Sequence, residues 1–298
     1  MDNLSQTSTN SKSPLIELLL FLATAFGFMT LFSFLGMAVI YYFFGITTFD
    51  FSNPEDILPA KILQFFNALG LFVIPPVFFY QVIKKENISW QFSGNIKFEL
   101  LLLSVALIYV IMPSVEWLAE INKMLPLPES WQPLLKQMEQ QTIQATKAML
   151  HMTSTADFLF SVLIIGVLPA LGEEMFFRGV LQCIFIRWTK NIWAGVLITA
   201  FLFSVLHMEF SGLLPRLVLG VVLGLLYAWS GNLWYSVLVH FLNNTSVVVY
   251  IYIKQINVEN LEDLEMMNSV SPFAGIVSLA VASGLLYYFY RKTQLLRK

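Results

Sequence analysis

The sequence predicts an all-α, polytopic integral membrane protein with about eight transmembrane helices and a site in a cavity between them. Three observations carry this. Of 298 residues, 57% are hydrophobic and only 12% charged, against about 25% charged in soluble domains. The apolar residues fall in runs of about twenty, the length that crosses a bilayer as a helix. One run is interrupted by Glu173, Glu174 and Arg178, and a charge at membrane depth costs about 2.5–3.5 kcal/mol to insert. Such a cost calls for a chemical reason.

The first fourteen residues are polar and end in Ser-Lys-Ser-Pro. No small-residue cleavage site follows, so the first span, 16–44, is expected to be a retained anchor and not a removed signal peptide. Polar and turn residues from Thr47 to Pro59 separate it from the second span, 62–83, and Asn87 to Gly94 precede the third, 98–119. The insertion at 120–155 carries Pro126, Pro128 and Pro133 and then a polar stretch, Leu134 to Leu150, expected to be a surface or interfacial helix. The fourth span, 156–188, is long enough to tilt, or to kink at Pro169. Short breaks then divide 191–208, 213–230 and 233–253, and the polar segment Asn257 to Ser271 leads to the last span, 271–290. The chain thus divides into an N-terminal membrane region (1–154), a helical core (155–255) and a C-terminal loop with the final span (256–298).

Charge sets the expected orientation. Lys12, Lys84, Lys85, Lys97, Arg187, Lys190, Arg291, Lys292, Arg297 and Lys298 fall on one side. Lys61, Lys123, Lys136, Lys147, Arg216 and Lys254 fall on the other, with acidic neighbours such as Asp50, Glu55, Asp56, Glu259, Glu262, Asp263 and Glu265. The positive-inside rule places both termini in the cytoplasm, the short loops fit a bacterial cell membrane, and the bilayer is the first partner. A net charge of −2 argues against a nucleic-acid partner, which needs a basic surface. Cys183 is the only cysteine, which excludes an intrachain disulfide and a cysteine-rich metal site.

The ionisable residues inside the spans form a pattern. Residues i and i+4 share a helix face, so Glu174 and Arg178 are paired, in the favourable Glu-first order. Glu173 is left without a cation on its own helix and becomes the candidate general base. His207 closes the fifth span; His240 and Asn244 share a face of the seventh. His151, in the polar insertion, is read as a surface residue. At 1.5 Å per residue, Glu173 and His207 each lie roughly 22–24 Å from the inner turn near 188–191, and His240 arrives at roughly 21 Å. The groups can converge. Glu173, helped by His207, would take a proton from water for attack on an amide carbonyl. His240 and Asn244 would donate hydrogen bonds to the developing oxyanion. No motif places a serine or cysteine nucleophile.

Glu173-Glu174-x-x-x-Arg178, Phe203-x-x-x-His207 and His240-x-x-x-Asn244 resemble, in order and spacing, the three motifs of the CPBP family. These are the CAAX-protease and bacteriocin-processing (Abi) intramembrane glutamic endopeptidases. The resemblance covers roughly residues 155–255. It implies hydrolysis of a peptide or membrane-protein substrate, with Glu173 as catalytic glutamate, His207 as its partner and His240 with Asn244 as the oxyanion hole. Glu174 and Arg178 would support the site. The eukaryotic relatives cut prenylated proteins, and many bacterial ones are tied to peptide bacteriocins; nothing in the motifs carries either substrate over. No cofactor is implied, although Glu173, His207 and His240 could make a His₂Glu zinc set. A non-catalytic immunity or scaffold protein binding a peptide in the same cavity also stays open. A proton-coupled transporter would show matching broken spans in two halves, and none is visible. Oligomeric state is not legible.

Overall fold

The computed structural model describes residues 13–49, 53–94, 96–126, 128–258 and 270–296, and all regular structure among them is helical. The chain is an all-α polytopic membrane protein. In order, the helices are α1 (Pro14–Phe44), α2 (Glu55–Lys84), α3 (Phe98–Lys123), α4 (Gln132–Leu150), α5 (Thr155–Thr189), α6 (Ile192–Val205), α7 (Leu213–Ser230), α8 (Leu233–Lys254) and α9 (Pro272–Leu295). Seven of them, all but α4 and α6, are long and apolar enough to cross a membrane. Each of the eight expected spans is a helix. The fifth is the short one: α6 has 14 residues, about 21 Å, and it stops at a turn in which Met208 takes a left-handed φ of 55°.

The helix ends follow local chemistry. Ser13 caps α1 ahead of Pro14 at the first helical position, and Gly45 stops it with φ 69°. Asn191 and Asn232 each accept from backbone N–H groups at the starts of α6 and α8. Gly231, with φ 70°, ends α7 between them. Asn53 caps α2, followed by Pro54, so that helix begins well before the apolar run at 62. Lys61 therefore is not a loop residue. It is a buried part of α2, and its Nζ donates to the His151 carbonyl at 2.6 Å and to Ser161 Oγ at 3.0 Å. Ser161 Oγ donates in turn to the Met149 carbonyl at 2.8 Å. This knot fastens the end of α4 to α2 and α5. His151 is half-buried there and not fully on the surface.

The interior has two main apolar clusters. One surrounds α5, where Phe176, Phe177 and Val180 pack against Phe21 of α1 and Phe79 of α2. The other joins α3, α7, α8 and α9 around Leu107, Leu226, Val239 and Phe289. Serines stitch α3 to α9: Ser114 Oγ donates to the Gly275 carbonyl at 2.8 Å and Ser278 Oγ to the Val110 carbonyl at 2.6 Å. At one end, Glu17 of α1 is ion-paired with Lys84 at 2.8 Å and with Arg187. Large apolar side chains such as Phe34 and Phe273 face outward, as a lipid-facing surface requires. Of the residues used for the orientation, Lys12, Asp50, Glu259, Glu262, Asp263, Glu265, Arg297 and Lys298 lie outside those described.

Candidate active site

The site is built on α5, and the winding of that helix matters. Val162–Val167 and Glu174–Gln182 are wound as wider π turns, a feature common at functional sites. Pro169, inside α5, has no N–H to offer the Ile165 carbonyl four residues back. The side chain of Asn244 on α8 donates to that carbonyl instead, at 3.0 Å. Gly172, beside the carboxylates, lets α5 press onto α2: a Cβ there would lie 2.9 Å from that of Phe72.

Glu174 and Arg178 are fully buried and paired, Nη1 to Oε1 at 2.8 Å. Arg178 Nη2 donates to the Gly220 carbonyl of α7 at 3.2 Å, and its guanidinium lies over the Phe203 ring, 4.6 Å from the centroid. A buried charge needs this number of partners. One turn further, Gln182 donates to the Gly224 carbonyl at 3.0 Å. Arg178 and Gln182 thus grip α7 at two glycines spaced four apart. The Gln182 contact was legible only as a polar residue in an apolar run.

His240 stands between the two glutamates. Its Nδ1 is 2.8 Å from Glu174 Oε1, and its Nε2 is 3.9 Å from Glu173 Oε2. Glu173 does not point away from its neighbour's partner, as simple helix geometry implies; both carboxylates address one imidazole, one at each nitrogen. Glu173 Oε2 is buried and, among the described residues, has no hydrogen-bond partner.

His207 lies just beyond the end of α6, with Nδ1 2.7 Å from the Phe203 carbonyl. A carbonyl only accepts, so Nδ1 carries the proton and Nε2 of the neutral ring is an acceptor. The His207 and His240 rings both rest on Phe203, at centroid distances of 4.7 and 5.9 Å. Phe203 also meets Phe177 at 5.2 Å. This ring is the common wall of the site, a role hidden in sequence, where an aromatic in a span reads as core. The structure brings Glu173, Glu174, Arg178 and His240 into one cluster and places His207 beside it across Phe203. Asn244 lies one turn along α8 from His240. Since one Asn244 N–H serves Ile165, the other remains as a donor.

His207, His240 and Asn244 line a cavity of about 980 Å³ between α2, α4, α7 and α8. Glu173 is not among the residues that line it, but its Oε2 lies 3.9 Å from Nε2 of His240, which does line it. The polar insertion borders the site: α4 presents Met138, Gln141, Thr142, Ala145 and Met149 to the cavity, so it roofs the site. Among the described residues no group of three or more His, Cys, Asp or Glu side chains is gathered so as to hold a metal ion.

Comparison with known proteins falls on the same segment. Residues 155–246 match the family model described as type II CAAX prenyl endopeptidase, Rce1-like. An Escherichia coli protein described as an uncharacterized 24.3 kDa protein is 33% identical over 91 residues, which are 29% of this chain and 42% of that protein. The Bacillus subtilis (strain 168) protein YpbD, also described as uncharacterized, is 34% identical over 85 residues, 27% of this chain and 40% of its own length. The chain thus spans about two-fifths of the length of these relatives. No solved structure matches. Residues 155–246 are thus similar to the CAAX-protease family, and Glu173, Glu174, Arg178, His207, His240 and Asn244 all fall inside that stretch.

Proposed function

We propose that the protein is an intramembrane endopeptidase that hydrolyses a peptide bond with water activated by Glu173. The observation that carries this reading is the arrangement of two carboxylates on the two nitrogens of His240, inside the segment that matches CAAX endopeptidases. The gap of 3.9 Å between Glu173 Oε2 and His240 Nε2 is too long for a direct hydrogen bond, which leaves Nε2 free for an oxyanion and Glu173 Oε2 free to bind a water. Glu173 takes a proton from that water, with the free Nε2 of His207 as a second acceptor. The hydroxide oxygen bonds to the amide carbon, and the carbonyl electron pair moves to oxygen. His240 and the remaining Asn244 N–H donate to that oxyanion. Loss of one such donor costs about 10²–10³-fold in kcat elsewhere. Collapse of the intermediate breaks the C–N bond, and Glu173 returns its proton to the leaving amine. Arg178 holds the Glu174 carboxylate in its place.

The substrate is a peptide or membrane protein that enters the cavity beneath α4. We place the protein in a bacterial cell membrane with the termini on the cytoplasmic side. The test compares the membrane and secreted peptidomes of wild-type and Glu173→Ala cells, with and without exhaustive chelation. Fragments that depend on Glu173 and survive chelation are expected. Fragments lost on chelation would make the enzyme a metalloprotease. No Glu173-dependent fragment, together with an unchanged cellular phenotype, would make the chain a peptide-binding protein without catalysis.

A further inference from the structure

The turn between α6 and α7, residues 206–212, carries His207 and is held from both sides by residues that no catalytic step uses. From α3, the fully buried side chain of Asn122 donates to the Phe210 carbonyl at 2.6 Å and accepts from the Leu214 N–H at 2.9 Å. From α7, Arg216 donates to the Glu209 carboxylate at 2.7 Å and to the Glu209 backbone carbonyl at 2.7 Å. Ser211 Oγ donates to the other Glu209 oxygen at 3.1 Å, and Ser204 Oγ to the Leu213 carbonyl at 2.6 Å. Gly212 leaves room for the Arg216 guanidinium, which a Cβ there would strike. The turn also contains a strained residue, Met208, whose φ of 55° is rare for a side chain of its size. Strain of this kind persists where the surroundings over-determine it.

We infer that Asn122 and the Arg216–Glu209 pair are positioning residues for His207, fixing the turn that presents its ring to the cavity. Resting on the proposed hydrolase reading, the inference adds three residues from outside the motifs. Two of the three, Asn122 and Arg216, sit on helices adjacent to the turn rather than in it. Among the described residues His207 has one hydrogen-bond anchor, the Phe203 carbonyl, and it lies past the last residue of α6. Its placement therefore depends on the backbone that follows. A misplacement of about 1 Å in a reacting group costs on the order of 100-fold in rate.

The test is a double-mutant cycle on purified protein in bilayers, using a peptide drawn from the Glu173-dependent fragments. Asn122→Ala and Arg216→Lys are expected to lower kcat by about 10- to 100-fold with KM within about twofold and little change in melting temperature. Arg216→Lys keeps the charge but loses the two-pronged grip. Amide hydrogen exchange at residues 203–214 is expected to quicken in both variants. In a His207→Gln background, the same substitutions should cost nothing further, because residues acting through one group are not additive. Losses that multiply on His207→Gln, or a full wild-type kcat, overturn the inference. So does a rise in KM at unchanged kcat for Arg216→Lys, which would make Arg216 a substrate-binding residue. Should His207→Gln itself retain the wild-type rate, the hydrolase reading of His207 fails instead. The exchange measurement then still decides whether the turn is pinned.

Discussion

Glu174 Oε1 lies 2.8 Å from both Arg178 Nη1 and His240 Nδ1, whereas Glu173 Oε2, one residue away, has no hydrogen-bond donor among the described residues. Glu174 Oε2 is likewise without a partner among them, so the proposal rests on the two bonds to Glu174 Oε1 in giving support to Glu174 and chemistry to Glu173. Arg178 is the keystone of the support, with its ion pair, the Gly220 carbonyl and the Phe203 face. Its truncation in Arg178→Ala strands a buried carboxylate, a change that costs about 3–5 kcal/mol in other proteins. Thermal melting in detergent should show a large drop, and replacing the pair by Glu174→Gln with Arg178→Met should recover much of it without activity. The pairing of Glu174 with Arg178 was legible because four residues return a side chain to the same face. The place of His240 between two carboxylates was not, since spacing within one helix says nothing of a third helix's rotamers. Phe203 was quoted in a motif, yet its role as the wall shared by both histidines emerges only from packing.

At the level of elements, the apolar runs marked every span to within a few residues except the start of α2. There the capping pair Asn53 and Pro54 extends the helix over Lys61. A lysine is normally evidence against a buried helix position, and only the carbonyl of His151 and the hydroxyl of Ser161 make it one. The π winding of α5 left no trace in the pattern, because apolar residues surround it on all sides. The stretch read as a surface or interfacial helix is α4, whose Gln141 and Thr146 are exposed and, with Thr142, also line the cavity. Lys61 is the fastening of this roof. In Lys61→Met, amide exchange across 132–151 is expected to accelerate while α7 keeps its protection. Unchanged exchange in α4 would show that apolar packing alone holds it.

Across the whole molecule, the proposed topology counts the short α6 as an eighth crossing beside the seven longer helices, which would put both ends of the chain on one side. Cys183 is buried, so the native protein offers little background to cysteine labelling. An impermeant maleimide is expected to label Gln255→Cys in intact cells and to reach Lys190→Cys only after permeabilisation. The opposite pattern would invert the topology and open the cavity toward the cytoplasm. Long-range geometry was the most demanding part of the sequence reading. Counting helical rise brought His207 and His240 to the level of Glu173, and the structure sets both rings on Phe203. The count could not foresee that both carboxylates address the His240 ring, because rise fixes depth and leaves rotation open.

The most direct measurement is the cleavage rate of purified Glu173→Gln against wild type in the same bilayer, with melting temperatures recorded for both. The substitution keeps size and hydrogen bonding and removes the ability to take a proton. The account predicts a fall of at least about 100-fold, within the range for loss of a general base, at an unchanged melting temperature. A variant that folds and cleaves at the wild-type rate would contradict it.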